Sequence, residues 1–273
     1  MKNTHQIYLI SDSTGETLDR IFMALKAQFN NFNYELNQFS FTRTENQIYT
    51  ILKEAKKKES PIILYTVVNS SLAKFLAQEA NKMQIPCFGV LGDLILNFSK
   101  ILNQKATHEP SGQHVLDEEY YKRIEAIQFT MNHDDGNQTE NILESDIILI
   151  GVSRTSKTPT SIYLANKGLK TSNIPLVNDM SIPLDIINSK KLCVVGLVTE
   201  AERLFDIRRN RLSSLKENET SDYTDIEKIR DEIERSKKIF KKNKWPTIDV
   251  TRKSVEETAA SIIKIFEIQN KNG

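Results

Sequence analysis

The segment Asp146-Ile-Ile-Leu-Ile-Gly-Val-Ser-Arg-Thr-Ser-Lys-Thr-Pro159 holds residue types that can grip phosphate. An apolar run leads into a loop opened by Gly151, then Lys157-Thr158, then a stretch with helical character. Strand, loop, Lys-[Ser/Thr] and helix start is the order of parts in a nucleotide phosphate-binding loop. Loop and helix-start N–H groups can point at phosphate oxygens, and the helix dipole favours their negative charge. In that reading Gly151, Val152, Ser153, Arg154, Thr155, Ser156, Lys157 and Thr158 form the cradle. Lys157 reaches the terminal phosphate, Arg154 adds a second cation, and the Thr158 hydroxyl holds Mg²⁺. Pro159 fits as the first helical residue, where a missing N–H costs nothing. One position departs from the G-x-x-x-x-G-K-[ST] pattern, because Ser156 stands where the second glycine belongs. An ordinary strand–loop–helix connection with a surface lysine is the competing reading.

Three other groups have chemical potential. Ser11-Asp-Ser-Thr-Gly-Glu-Thr17 follows the first apolar run and opens a helix. Ser11, Ser13, Thr14 and Gly15 could contact phosphate at the carboxyl end of a parallel strand, or form a capping turn. His133-Asp-Asp-Gly136 carries adjacent acids. Asp134 or Asp135 could take a proton from a hydroxyl nucleophile or bind Mg²⁺ through water, or could simply end a helix at Gly136. Arg203, Arg208, Arg209 and Arg211 form a cluster. Of these, Arg208 and Arg209 are candidates for phosphoryl contacts, against a basic helix face as the alternative. His5, His108 and His114 are isolated and receive no catalytic role. Cysteine and histidine lack the spacing of a zinc site.

These residues need a scaffold that presents strand ends to solvent. Runs at Gln6–Ile10, Glu35–Phe41, Pro61–Val67 and Pro86–Val90 read as strands, alternating with helical patterns at Leu18–Phe29, Asn46–Lys58, Ser71–Met83 and Leu94–Leu102. That alternation predicts a doubly wound parallel sheet. Asn103–His114 reads as a linker, so the expected division is 1–112, an N-terminal α/β domain, and 113–273, a P-loop-kinase-like α/β domain. In the second, Asp117–Met131, Tyr223–Lys242 and Val255–Ile268 read as helices. Ser254 and Glu257 make a capping box for the last one. Further strands are predicted at Ile174–Val177, Leu192–Leu197 and Ile248–Val250. We find no internal repeat.

With 273 residues and 39% hydrophobic content the chain can bury one large core or two modest ones. A net charge of +1 excludes a clearly basic nucleic-acid binder. No apolar run approaches membrane-spanning length. A strand-like segment begins by Gln6, leaving no room for a signal peptide, and Cys87 and Cys193 read as reduced core residues. A cytoplasmic protein is expected.

Taken together, Ser11–Thr17, His133–Gly136, Gly151–Thr160, Tyr163-Leu-Ala165 and Asp249-Val-Thr251 with Ser254-Val-Glu-Glu257 resemble the pyruvate, phosphate dikinase regulatory proteins, in order over nearly the whole chain. A sister group regulates phosphoenolpyruvate synthase. Ser13 and the Thr155-Ser156 pair place this chain on the dikinase side, where the Ser156 departure is normal. The resemblance implies a bifunctional serine/threonine kinase and phosphorylase. It would move the β-phosphate of ADP to a dikinase threonine, and remove that phosphate with inorganic phosphate, releasing pyrophosphate. ADP and inorganic phosphate are then substrates, with Mg²⁺ as cofactor. The phosphate loop carries over as the nucleotide site, whereas roles for Asp134 and Asp135 are inferred from their chemistry. A P-loop kinase of a small metabolite and a non-catalytic nucleotide sensor are the alternatives. A symmetric dimer is the base-rate expectation.

Overall fold

The computed structural model describes residues 4–112, 116–136, 141–176, 182–189, 191–215 and 222–272. The chain divides into two compact units, Met1–Val115 and Leu116–Gly273. Each is α/β with a four-stranded, all-parallel sheet. His114 and Val177, which fall within the predicted linker and a predicted strand, lie outside the described residues.

In the first unit, strands β1 (His5–Ser11), β2 (Tyr34–Phe39), β3 (Pro61–Thr66) and β4 (Cys87–Gly89) alternate with helices α1 (Glu16–Lys26), α2 (Glu45–Lys56), α3 (Ser70–Lys82) and α4 (Gly92–Leu102). The order across the sheet is β2-β1-β3-β4. Strand side chains alternate between faces, so β1 serves two cores. Ile7 and Leu9 pack with Leu18 and Phe22 of α1, while Tyr8 and Ile10 pack with Ile48 and Leu52 of α2 and Leu76 of α3. Covering both faces explains why the strand reads as a nearly unbroken apolar run. Thr44 and Gln47 form a reciprocal cap on α2, and Asn69 caps α3.

The second unit opens with α5 (Glu118–Asn132) and a 3-10 turn at Asp134–Gly136. Strands β5 (Ile147–Gly151), β6 (Thr171–Pro175), β7 (Cys193–Val198) and β8 (Thr247–Asp249) follow, with α6 (Lys157–Ala165), α7 (Leu184–Asn188), α8 (Ala201–Leu215), α9 (Ile226–Lys242) and α10 (Val255–Asn272) between and after them. The order is β6-β5-β7-β8. Every residue of β5 is buried. Ile147 and Leu149 face Leu164 of α6 with Ala259 and Ile262 of α10, whereas Ile148 and Ile150 face Phe240 of α9. Burying each such side chain is worth about 1.5–3 kcal/mol. β5 is therefore a rigid base for the loop that follows it.

Several predicted bounds shift for local reasons. α6 starts at Lys157, so Pro159 is its third residue rather than its first. The missing N–H is harmless there too, because the first-turn donors have no intrahelical partner. β6 begins at Thr171 because Thr171, Ser172 and Asn173 are polar yet buried, which concealed the strand. Tyr223 belongs to a separate 3-10 turn at Asp222–Thr224, and Asp225 caps α9 after it. The Ser254–Glu257 capping box on α10 is present. Cys193 is buried but Cys87 only partly so. Burial pushes their thiols up to about 11 and about 12, leaving both protonated.

Candidate active site

The loop from β5 to α6 is shaped by close backbone approach. A side chain at Gly151 would place its Cβ 2.6 Å from the Leu197 carbonyl oxygen and 2.7 Å from Thr155 Oγ1. Thr155 is fully buried and donates to the Val152 carbonyl at 2.9 Å, which ties the loop to its own base. Arg154 and Ser156 both adopt left-handed backbone angles, φ 73° and 58°. Such conformations cost a non-glycine residue on the order of 1 kcal/mol or more, and they gather at functional loops. Ser156 thus takes the glycine-like geometry that the phosphate-loop pattern asks for. The Ser156 side chain does not cap α6, an arrangement in which first-turn amides can take an anion.

Lys157 is only 5% exposed, and its Nζ donates to the Val152 carbonyl at 3.1 Å. Burial pushes its pKa down to about 8. Asp135 and Asp134 oppose that shift, while Arg154 and Arg208 reinforce it. This lysine is a largely desolvated cation among opposing charges and does not lie on the surface. Neutralising an incoming phosphate would compensate its burial.

Asp134 Oδ1 accepts from Thr158 Oγ1 at 2.9 Å and from the Asn173 side-chain amide. The Asn173 side-chain oxygen in turn accepts the Asp135 N–H at 2.9 Å. Asp135 sits in the left-handed region at φ 50°. A cleft of about 530 Å³ is lined by Asp135, Ser153, Arg154, Ser156, Lys157 and Thr158, with Pro159, Pro175 and Ile207. Asn173 of β6 thus bonds the Asp134 carboxylate, which meets Thr158 at the start of α6, and also holds the Asp135 backbone in the turn. Among the described residues no group of three or more acidic, histidine or cysteine side chains is placed to hold a metal ion by itself. The Thr158 hydroxyl beside a carboxylate nevertheless fits Mg²⁺, which uses one or two carboxylates together with substrate phosphates and water.

The two arginines part company. Arg208 is 1% exposed, forks onto Glu232 at 2.7 and 3.4 Å, donates to the Tyr223 carbonyl at 3.2 Å and lies over the Tyr223 ring. A longer contact of 3.5 Å reaches the Ser153 carbonyl. Arg208 thus braces the loop from behind. Arg209 pairs with Asp206 at 3.7 Å, stacks on Phe205 and does not line the cleft. In the first unit Ser11, Ser13, Thr14 and Gly15 line a smaller cleft of about 180 Å³.

A model of the kinase/pyrophosphorylase family matches residues 7–263, spanning both units. The chain belongs to the kinase/pyrophosphorylase family. A relative from Pelagibacter ubique, 67% identical with both chains covered end to end, is named as a pyruvate, phosphate dikinase regulatory protein. Relatives from Sphingopyxis alaskensis (46% identical, 96% of each chain) and Chelativorans (42%, 95% of each) bear the same name.

Two residues packed around the candidate loop escaped the sequence reading. Asn173 holds both acids, yet nothing distinguished it from other polar residues in a short, unpredicted stretch of strand. Tyr223 brings its hydroxyl to 3.2 Å from Arg154 Nε and 3.4 Å from Ser153 Oγ. It lies about seventy residues downstream, so only the tertiary fold brings it to the loop. No helix among the described residues is long and apolar enough to cross a membrane.

Proposed function

We propose that this protein phosphorylates a threonine of pyruvate, phosphate dikinase with ADP as donor, and removes that phosphate with inorganic phosphate. The observation that carries the reading is the buried Lys157 at an uncapped helix start, beside the Thr158–Asp134 pair. Family membership and the relatives' names support the class of reaction and the target.

In the forward direction the diphosphate lies on the amides of Gly151–Thr158, with Lys157 and Arg154 on its oxygens. Asp135, which lines the cleft, takes the proton of the threonine hydroxyl. The hydroxyl oxygen bonds to the β-phosphorus, the bond to the bridging oxygen breaks, and AMP leaves. Thr158 and Asp134 would hold Mg²⁺, which when bound neutralises phosphate charge. In reverse, an oxygen of inorganic phosphate attacks the phosphothreonine phosphorus. Pyrophosphate forms, and the threonine oxygen recovers its proton from Asp135. Pyrophosphate resembles the two phosphates of ADP, so one cradle can serve both directions.

The test is incubation with ADP and purified dikinase. Phosphothreonine on the dikinase together with AMP supports the proposal. ADP binding without turnover would show a sensor, and phosphorylation of small metabolites alone would show a metabolite kinase; either result overturns it.

A further inference from the structure

Lys157 is fixed by burial, but Arg154, the second cation beside the cleft, is exposed. A long exposed side chain has many rotamers, and ordering it costs entropy. A cation that must meet a phosphate at one place therefore gains from being held there beforehand. Tyr223 supplies a hold. Its hydroxyl accepts the Arg154 Nε–H at 3.2 Å and lies 3.4 Å from Ser153 Oγ. Only the Nε edge of the guanidinium is used in this way. Among the described residues no acceptor meets its two terminal nitrogens, and no carboxylate pairs with it. Two terminal N–H groups suit two oxygens of one phosphate, so Arg154 keeps its fork for a ligand in the cleft that it lines.

Tyr223 is itself set in place from behind. The Arg208 guanidinium lies over its ring, 4.5 Å from the centroid, and donates to its carbonyl at 3.2 Å. The same guanidinium forks onto Glu232 of α9 and reaches the Ser153 carbonyl at 3.5 Å. One buried arginine thus ties the Tyr223 turn to the phosphate loop. Val152 of the loop shares a buried cluster with Leu204 of α8 and with Ile229 and Ile233 of α9, so the two segments also share a core. Asp225 caps α9 directly after the turn. The place of the phenol is therefore fixed by contacts that do not involve Arg154. Tyr223 is not among the residues that line the cleft, so it acts on a ligand through its neighbours.

We propose that Tyr223 is a positioning residue, which holds Arg154 by its Nε–H so that the two terminal nitrogens fork onto a phosphate in the cleft. This rests on the reading of the Gly151–Thr158 loop as a phosphate cradle.

The test uses the full chain, pyrophosphate as the probe, and Tyr223→Phe, which keeps the ring under Arg208 and removes only the acceptor oxygen. The ¹⁵Nε–H resonance of Arg154, identified by its absence in Arg154→Ala, reports the hydrogen bond without any ligand. Its protection from exchange with water should fall about tenfold in Tyr223→Phe. Titration calorimetry reads pyrophosphate affinity, which should also fall about tenfold in Tyr223→Phe. Adding Tyr223→Phe to Arg154→Ala should cause no further loss, whereas a merely structural tyrosine would weaken both backgrounds alike. Equal exchange in parent and Tyr223→Phe, parental affinity in Tyr223→Phe, or additive losses in the double variant would overturn the proposal. An intact Arg154 signature without pyrophosphate binding, or with binding that Lys157→Ala leaves unchanged, would overturn the cradle reading and the proposal with it.

Discussion

Replacing Lys157 with methionine should make the protein more stable and nearly inactive at once. The buried ammonium sits at a pKa of about 8 against an ordinary 10.5, mainly because burial strips its water. That displacement amounts to about 3 kcal/mol against the charged form. Methionine keeps the aliphatic stem and sheds the charge. It also forfeits the 3.1 Å bond to the Val152 carbonyl, worth about 1 kcal/mol. The net gain is about 2 kcal/mol at pH 7. Phosphate transfer should fall on the order of 100-fold or more, since the cation facing the transferred group is gone. The pH dependence supplies a second reading. Below pH 8 folded and unfolded chains both hold the proton, so the cost of burying the charge is fully present. Between about 8 and 10.5 the folded lysine is neutral while the unfolded one is still charged. The unfolded state then binds more protons, and parental stability rises with pH across this window. Activity should move the other way, declining as pH passes about 8. Urea unfolding at pH 7 and 9.5 measures the first trend, and initial rates across the same range the second. The reasoning fails if the methionine variant is destabilised by more than about 1 kcal/mol, keeps activity within a few-fold, or shows the parent's pH-linked gain in stability.

The acids should separate by role: Asp135→Asn is expected to cut turnover about 100-fold or more with ADP affinity nearly unchanged. Asp134→Asn should instead raise the Mg²⁺ concentration needed for half-maximal rate; both are read from initial rates and a nucleotide-binding isotherm. Gly151→Ala forces a methyl against the Leu197 carbonyl and should cost about 1–3 kcal/mol in urea unfolding. Glu232→Gln leaves the Arg208 guanidinium buried without its counter-charge and should cost on the order of 3 kcal/mol, much of it recovered in the double variant with Arg208→Met. Unchanged unfolding midpoints in these last two would refute the packing and pairing arguments.

What the sequence showed depended on how local the signal was. Buried strands such as Ile147–Gly151 declare themselves as apolar runs, and the Ser254–Glu257 cap needs only a four-residue window. Lys157-Thr158 after an apolar strand is likewise local. The separation of Arg208 from Arg209 is not: neighbouring residues on α8 point to opposite surroundings, one to Glu232 and one to Asp206. Thr171–Asn173 were opaque because their side-chain polarity is used inside the fold, by the Leu169 carbonyl, the Ser145 hydroxyl and the 3-10 turn. The shared strand order of the two units was also hidden, because side chains diverge freely where only backbone topology is kept.

α10 packs on α6, with Ala259 and Ile262 against Leu164 in the layer beneath β5. The helix that begins with Lys157 is therefore braced by the last helix of the fold. During synthesis the loop, its lysine and both acids leave the ribosome about a hundred residues before their buttress does. A nascent chain at that stage holds the candidate residues but lacks the helix that braces them. Phosphate transfer should therefore require α10, and chains cut short before Val255 should be inert.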